Sequence, residues 1–192
     1  MAHVSADAPF VPLGIAVLTV SDTRGFAEDG SGDLLEARLT ETGHDLIERR
    51  IVPDDIYQIR AAVSQWVARD DVQAILVNGG TGFTARDTTP EALTPLFDKA
   101  IDGYGELFRQ LSFASIGAST IQSRAVAGVA NRTLVFAMPG SPRACAMAWN
   151  GILVSQLDAR TRPCNFVAMV LPEAEHCASR QPGSSATAKE GV

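Results

Sequence analysis

One stretch constrains this chain more than any other: Ala74-Ile75-Leu76-Val77, then Asn78-Gly79-Gly80-Thr81-Gly82, then Phe83-Thr84-Ala85-Arg86-Asp87, then Thr88-Thr89-Pro90-Glu91. The apolar run has the character of a buried strand. Three of the five residues at 78–82 are glycine. The last four read as a helix start, either Thr-x-x-Glu as a capping box or Thr89 as N-cap with Pro90 at the first helical position. Strand, glycine turn and helix N-terminus together form an anion site from backbone alone, because consecutive N–H groups can converge on a phosphate. Arg86 can add a bidentate guanidinium. A carboxylate beside a phosphate is repulsive unless a cation stands between them, so Asp87 points to Mg²⁺, which takes a carboxylate together with substrate phosphates. The alternative is an ordinary glycine-rich turn with a solvated Arg86–Asp87 pair.

Upstream, Leu13 to Val20 is a continuous apolar run ending in Ser21-Asp22-Thr23-Arg24, a buried parallel strand with polar groups at its carboxyl end. Open α/β sheets hold ligands at that end, which makes Ser21, Asp22 and Arg24 candidates; plain loop chemistry is the competing reading. A first helix is predicted from Asp29–Ser31 to Gly43, with Leu35 and Leu39 on one face. Gly25 and Gly30 have the spacing of a nucleoside-triphosphate loop, but no lysine follows. Leu46 to Val52 is a more polar, edge-type strand. Pro53-Asp54-Asp55 then opens a helix bearing Ile56, Ile59, Val63, Trp66 and Val67 at helical spacing. Asp54 and Asp55 suit a helix start without any further role.

Gly80-Thr81-Gly82-Phe83-Thr84-Ala85 also matches the dinucleotide fingerprint G-x-G-x-x-A. It follows the third strand rather than the first, and the helix signal begins outside it, so a dinucleotide site is rejected. A third helix is predicted over Pro90 to Lys99, a break at Gly103 to Glu106, a further helix through Leu107, Phe108 and Leu111, and a loop over Ile116 to Ser123. Arg124–Val129 and Thr133–Met138 read as strands joined by a tight turn at Asn131-Arg132. Met138-Pro139-Gly140-Ser141-Pro142 repeats the strand–glycine–helix layout, with Ser141 as N-cap. The last helix carries the small residues Ala144, Ala146, Ala148 and Gly151. Alternating strands and helices predict an α/β fold with a mostly parallel sheet and helices on both faces. The expected organisation is a loose arm at 1–12, one domain at 13–171 and a disordered tail at 172–192.

Length and charge narrow the function. The 192 residues suffice for one domain with a sizeable core, and the net charge of −6 disfavours nucleic acid as a partner. Cys145, Cys164 and Cys177 are odd in number and widely spaced, and His3, His44 and His176 are scattered. Neither set makes a disulfide framework or a zinc motif, and the cysteine usage fits a cytoplasmic compartment. No apolar run is long enough to span a bilayer, and no signal peptide is evident.

The combination of Asn-Gly-Gly-Thr-Gly at 78–82, Arg-Asp-x-Thr-Pro-Glu at 86–91, Gly-x-Gly-Glu-x-x-Arg at 103–109, Ser123-Arg124 and Met-Pro-Gly-Ser at 138–141 resembles the MoaB/MogA family of molybdenum cofactor biosynthesis over about residues 13–165. The resemblance implies a three-layer α/β/α, molybdopterin-binding-domain-like fold. It also implies adenylyl transfer from Mg-ATP to the terminal phosphate of molybdopterin, ahead of metal insertion. The family's two catalytic aspartates match Asp54 and Asp87, which raises Asp54 above its helix-start reading. On this resemblance Ser21 and Asp22 bind nucleotide or pterin, Asn78, Gly79, Gly80, Thr81, Gly82 and Arg86 bind phosphate, Asp87 holds Mg²⁺, and Ser112, Pro139, Gly140 and Ser141 lie on the pterin side. Molybdopterin and ATP are the expected ligands. A homotrimer or homohexamer and a molybdenum-insertion enzyme are the expected protein partners. A non-catalytic molybdopterin carrier is the alternative.

Overall fold

The computed structural model describes residues 3–5 and 8–171; the expected tail at 172–192 lies outside the described residues. A six-stranded sheet forms the centre, in the order β3(Asp45–Val52), β2(Gly14–Val20), β4(Ala74–Asn78), β7(Thr133–Met138), β6(Val126–Ala130), β5(Lys99–Ala100). β3, β2, β4 and β7 pair in parallel, and β6 runs against its neighbours. The mostly parallel sheet is therefore as expected. β2, β4 and β7 are buried throughout because both faces are covered, while β3 at the edge is more polar.

Alternate strand residues feed two separate cores. Ile15, Val17, Leu76 and Phe136 pack against α1(Gly30–Thr42), α4(Asp102–Ile116) and α5(Pro142–Ala148) through Leu35, Leu39, Phe108 and Cys145. Ala16, Leu18, Ile75 and Val135 pack on the other face against α2(Ile56–Val67) and α3(Thr89–Leu93) through Ile59, Val63, Trp66 and Leu93. Two cores on one sheet make the three layers. No helix among the described residues is long and apolar enough to cross a membrane.

The chain leaves β2 for β3 on one side of the sheet and returns to β4 on the other, so the sheet's switch point lies between β2 and β4. The register places Thr19 beside Asn78, and Asn78 beside Met138, so the loops after β2, β4 and β7 emerge together. A ligand crevice forms at such a point.

Several local expectations change. In the stretch expected to be an arm, β1(His3–Val4) pairs antiparallel with β8(Thr161–Arg162). The helix expected over 90–99 stops at Leu93, and a 3-10 turn at Thr94–Leu96 leads into β5. Pro95 lacks the N–H that a continuing helix requires. The break expected at 103–106 is instead inside α4. A Cβ on Gly105 would lie 2.5 Å from the Ala125 carbonyl, so this glycine serves close packing. The loop expected over 116–123 contains a 3-10 helix at Gly117–Gln122. The Asn131-Arg132 turn joins β6 to β7 with both residues at positive φ (47° and 66°), the hairpin geometry that suits twisted strands. α5 runs on through a π-helical segment, Trp149–Leu153, and α6(Val154–Gln156), while α7(Val167–Val170) closes the described chain. Cys145, Ala148, Trp149 and Leu153 are buried in the first core, so one face of this helix packs against the sheet.

Candidate functional site

A cleft of about 450 Å³ opens at the carboxyl ends of β2, β4 and β7. Of the candidate residues, Ser21, Gly79, Gly80, Thr81, Gly82, Asp87, Pro139 and Gly140 line it. Val20, Thr23, Arg24, Ile116, Ser119, Gln122 and Ser123 complete the wall.

The glycine loop is shaped by two carboxylates. Gly80 sits at φ 61°, and a Cβ there would lie 2.4 Å from Asp54 Oδ2. A Cβ on Gly82 would lie 2.8 Å from Asp87 Oδ2. Asp54 and Asp87 thus press on neighbouring glycines of one loop, although 33 positions separate them in the chain. Asp54 Oδ1 accepts from Thr88 N (2.9 Å) and Thr88 Oγ1 (2.6 Å). The cap of α2 is Asp55, whose Oδ1 accepts from Tyr57 N and Gln58 N. Asp87 Oδ2 accepts from Thr84 N (2.8 Å) and Thr84 Oγ1 (2.6 Å). The Thr84 hydroxyl bond, with backbone N–H bonds and nearby Arg124, holds the Asp87 carboxyl below the usual aspartate range despite partial burial.

Neither predicted cap at the start of α3 forms. Thr88 is at the N-cap position but its hydroxyl goes to Asp54, Thr89 Oγ1 donates to Gly79 O (2.9 Å), and Glu91 pairs with Arg124. The helix start is used to fasten the loop.

The amide cradle is narrower than expected. Gly79 N donates to Met138 O (3.0 Å), and Gly82 N–H contributes to holding Asp87 ionised. Gly80 and Thr81 keep amides with no acceptor among the described residues. Asn78 is fully buried and faces inward: Nδ2 donates to Thr19 Oγ1 (2.9 Å) and Leu18 O (3.3 Å). Thr19 Oγ1 in turn donates to Asp29 Oδ2 (2.6 Å), which also takes Arg49 Nη2 (2.8 Å). Asn78 therefore anchors the loop from beneath.

The two candidate arginines take different places. Arg86 donates to both oxygens of Asp22 (3.0 and 2.5 Å), and this pairing lowers the Asp22 carboxyl from its ordinary range. Arg24 lines the cleft instead, with Nη1 donating to Gly140 O (2.9 Å). Ser31 Oγ donates to the same carbonyl (3.1 Å), which fixes the second glycine turn. Ser141 caps α5, accepting from Ala144 N (3.2 Å). Beneath that turn, Cys145 is buried and its thiol is pushed up to about 12 by burial, so it is unreactive at neutral pH. Ser112 is buried on α4 and is not among the cleft-lining residues. The 116–123 wall carried no periodic signal that would have placed it at the site.

No group of three or more His, Cys, Asp or Glu side chains is arranged to hold a metal among the described residues. One ionised carboxylate on the cleft wall, Asp87, fits an ion that arrives with most of its ligands as phosphate and water oxygens. It does not fit a resident site built wholly from protein.

Fold and cleft define a class: α/β domains that hold a small ligand at the switch point of a mostly parallel sheet. Residues 16–159 match the family described as "Probable molybdopterin binding domain". The chain is 57% identical over 166 residues to Molybdenum cofactor biosynthesis protein B of Escherichia coli (strain K12), covering 86% of this chain and 96% of that one. Among solved structures, a Molybdenum cofactor biosynthesis protein B superposes with a TM-score of 0.75 at 43% identity, covering 77% of this chain and 92% of that one. The tungsten cofactor synthesizing protein MoaB from Pyrococcus furiosus gives 0.69 at 34% identity, covering 76% and 92%. The chain belongs to this molybdopterin-binding domain family of molybdenum cofactor biosynthesis proteins.

Proposed function

We propose that the chain binds molybdopterin by its terminal phosphate in this cleft and adenylylates that phosphate from Mg-ATP. The observation that carries the reading is the placement of Asp54 and Asp87 on Gly80 and Gly82 of one phosphate-type loop. A phosphate oxygen of molybdopterin attacks the α-phosphorus of ATP. The new P–O bond forms as the bond to the bridging oxygen breaks, and pyrophosphate leaves with its electron pair. Such transfer depends on positioning and charge neutralisation. The Gly80 and Thr81 amides and Arg24 supply positive ends to the phosphates. Asp87 holds the Mg²⁺ that accompanies ATP, and Asp54 fixes the loop through Thr88. The chain acts in this scheme as a homotrimer or homohexamer that hands its product to a molybdenum-insertion enzyme.

A second reading, a non-catalytic molybdopterin carrier, draws on Arg86, whose guanidinium is paired with Asp22 rather than left open for a second phosphate. Purified protein, metal-free molybdopterin and Mg-ATP separate the two. Adenylyl-molybdopterin and pyrophosphate should appear in step, and Asp87→Asn should lower turnover by about a hundredfold or more with molybdopterin affinity within about threefold of the parent. Tight molybdopterin binding without product would establish the carrier. Undiminished turnover in Asp87→Asn would remove Asp87 from the mechanism.

A further inference from the structure

We propose that Arg124 is the positioning residue for the Asp87 loop: it clamps both ends of residues 82–87 and thereby aims the Asp87 carboxylate into the cleft, without itself touching a ligand. The kinetic arm of its test rests on the adenylyl-transfer reading; the structural arm does not.

Arg124 stands two residues ahead of β6. Its backbone N–H donates to Thr81 O (3.3 Å). Its side chain reaches across the loop mouth. Nε donates to Gly82 O (2.8 Å) and Nη2 donates to Asp87 O (2.8 Å). Nη1 pairs with the Glu91 carboxylate, which ties α3 to the same fork. The guanidinium also lies 5.1 Å from the centre of the Phe83 ring. The side chain is only 20% exposed, so these bonds stand where water competes poorly.

The loop lacks an equivalent hold elsewhere. Residues 83–86 are exposed. Thr84 N–H to Asp87 Oδ2 and Asp87 N–H to Thr84 O (3.1 Å) close the turn on itself but do not dock it against the cleft. The other side-chain tie, Arg86 to Asp22, is solvent-exposed and weak on general grounds. Among the described residues, Arg124 is the one side chain donating to the Gly82 and Asp87 carbonyls. A planar fork with several fixed N–H directions meets three acceptors at once; a lysine ammonium on a flexible stem does not. Its neighbour Ser123 lines the cleft, so the same short segment forms the wall and sets the loop.

The test compares Arg124→Ala and Arg124→Lys with the parent by amide hydrogen exchange and, in parallel, by turnover with molybdopterin and Mg-ATP. Exchange across 82–87 should quicken ~tenfold or more in both variants while β2, β4 and β7 keep their protection. Turnover should fall about a hundredfold, through kcat rather than the KM for molybdopterin. Millimolar guanidinium should restore part of it to Arg124→Ala and none to Arg124→Lys. Unchanged exchange at 82–87, or loss of protection spread evenly over the sheet, would overturn the proposal. If the parent itself shows no turnover, the adenylyl-transfer reading fails while the exchange data still decide the role of Arg124.

Discussion

Replacing Gly80 with alanine probes the loop where backbone and site chemistry meet. At φ 61° an L-residue carries a cost of about 1–2 kcal/mol. The added methyl would also stand 2.4 Å from both Asp54 Oδ2 and Thr89 Oγ1. Turning Asp54 aside would loosen its bonds from Thr88 N and Oγ1, and turning Thr89 would break its bond to Gly79 O. Overpacking of this kind costs roughly 1–3 kcal/mol. Together the loss is about 2–5 kcal/mol, which for a chain of this size lowers Tm by roughly 5–15 °C. Urea unfolding followed by circular dichroism should show the midpoint fall with an unchanged slope. Gly103→Ala is the control: it lies in α4, a Cβ there meets nothing within 4 Å, and it should gain about 0.5–1 kcal/mol. A Gly80→Ala variant within about 0.5 kcal/mol of the parent would refute the claim that this glycine is fixed by Asp54 and Thr89.

Other consequences follow from the buried polar groups. Asp29 is fully buried and joins Thr19, the Gly32 amide and Arg49; Asp29→Ala should cost about 3 kcal/mol or more in urea unfolding, against less than about 1 kcal/mol for Glu41→Ala in the exposed Arg38–Glu41 pair. His44 is held neutral: burial lowers its pKa, against the opposing charges of Asp158 and Asp45, and Nδ1 accepts from Leu13 N. Below the unfolded value of about 6.5 the unfolded chain takes up the proton first, so stability falls as pH drops from there to the lower folded value. Tm measured from pH 7.5 downward should show this fall in the parent and lose it in His44→Gln.

The elements that were legible in advance are those whose signal is local. Leu13–Val20 and Ala74–Val77 are apolar without alternation, and both are central strands. Asn131-Arg132 marks its own turn, and Ser141-Pro142 marks its own helix start. What stayed hidden depended on partners far along the chain. Gly105 looks like a break until Ala125 is seen against it. Asn78 sits in a loop motif, yet its side chain serves Thr19 and Leu18 below the sheet edge. Arg86 is the conspicuous cation of the motif, but Asp22, 64 positions away, pairs with it. No propensity or spacing rule carries that information, because each depends on which loops the topology gathers at one edge.

The pair Asp54-Asp55 shows the same division at its sharpest. Two adjacent acids ahead of a helix are redundant as caps, and propensity cannot say which one caps. In the fold Asp55 takes the Tyr57 and Gln58 amides and so serves as the side-chain cap of α2. Asp54 is thereby released to point across the edge of the sheet, where it receives Thr88 and leaves room only for a glycine at 80. Its backbone N–H meanwhile donates to Asp22 Oδ1 (3.1 Å), so the same residue is tied to the loop after β2. Asp54 thus joins the loops that follow β2, β3 and β4, and the cap position does not compete for its carboxylate. A helix start that needs one acid and contains two has one to give to the site.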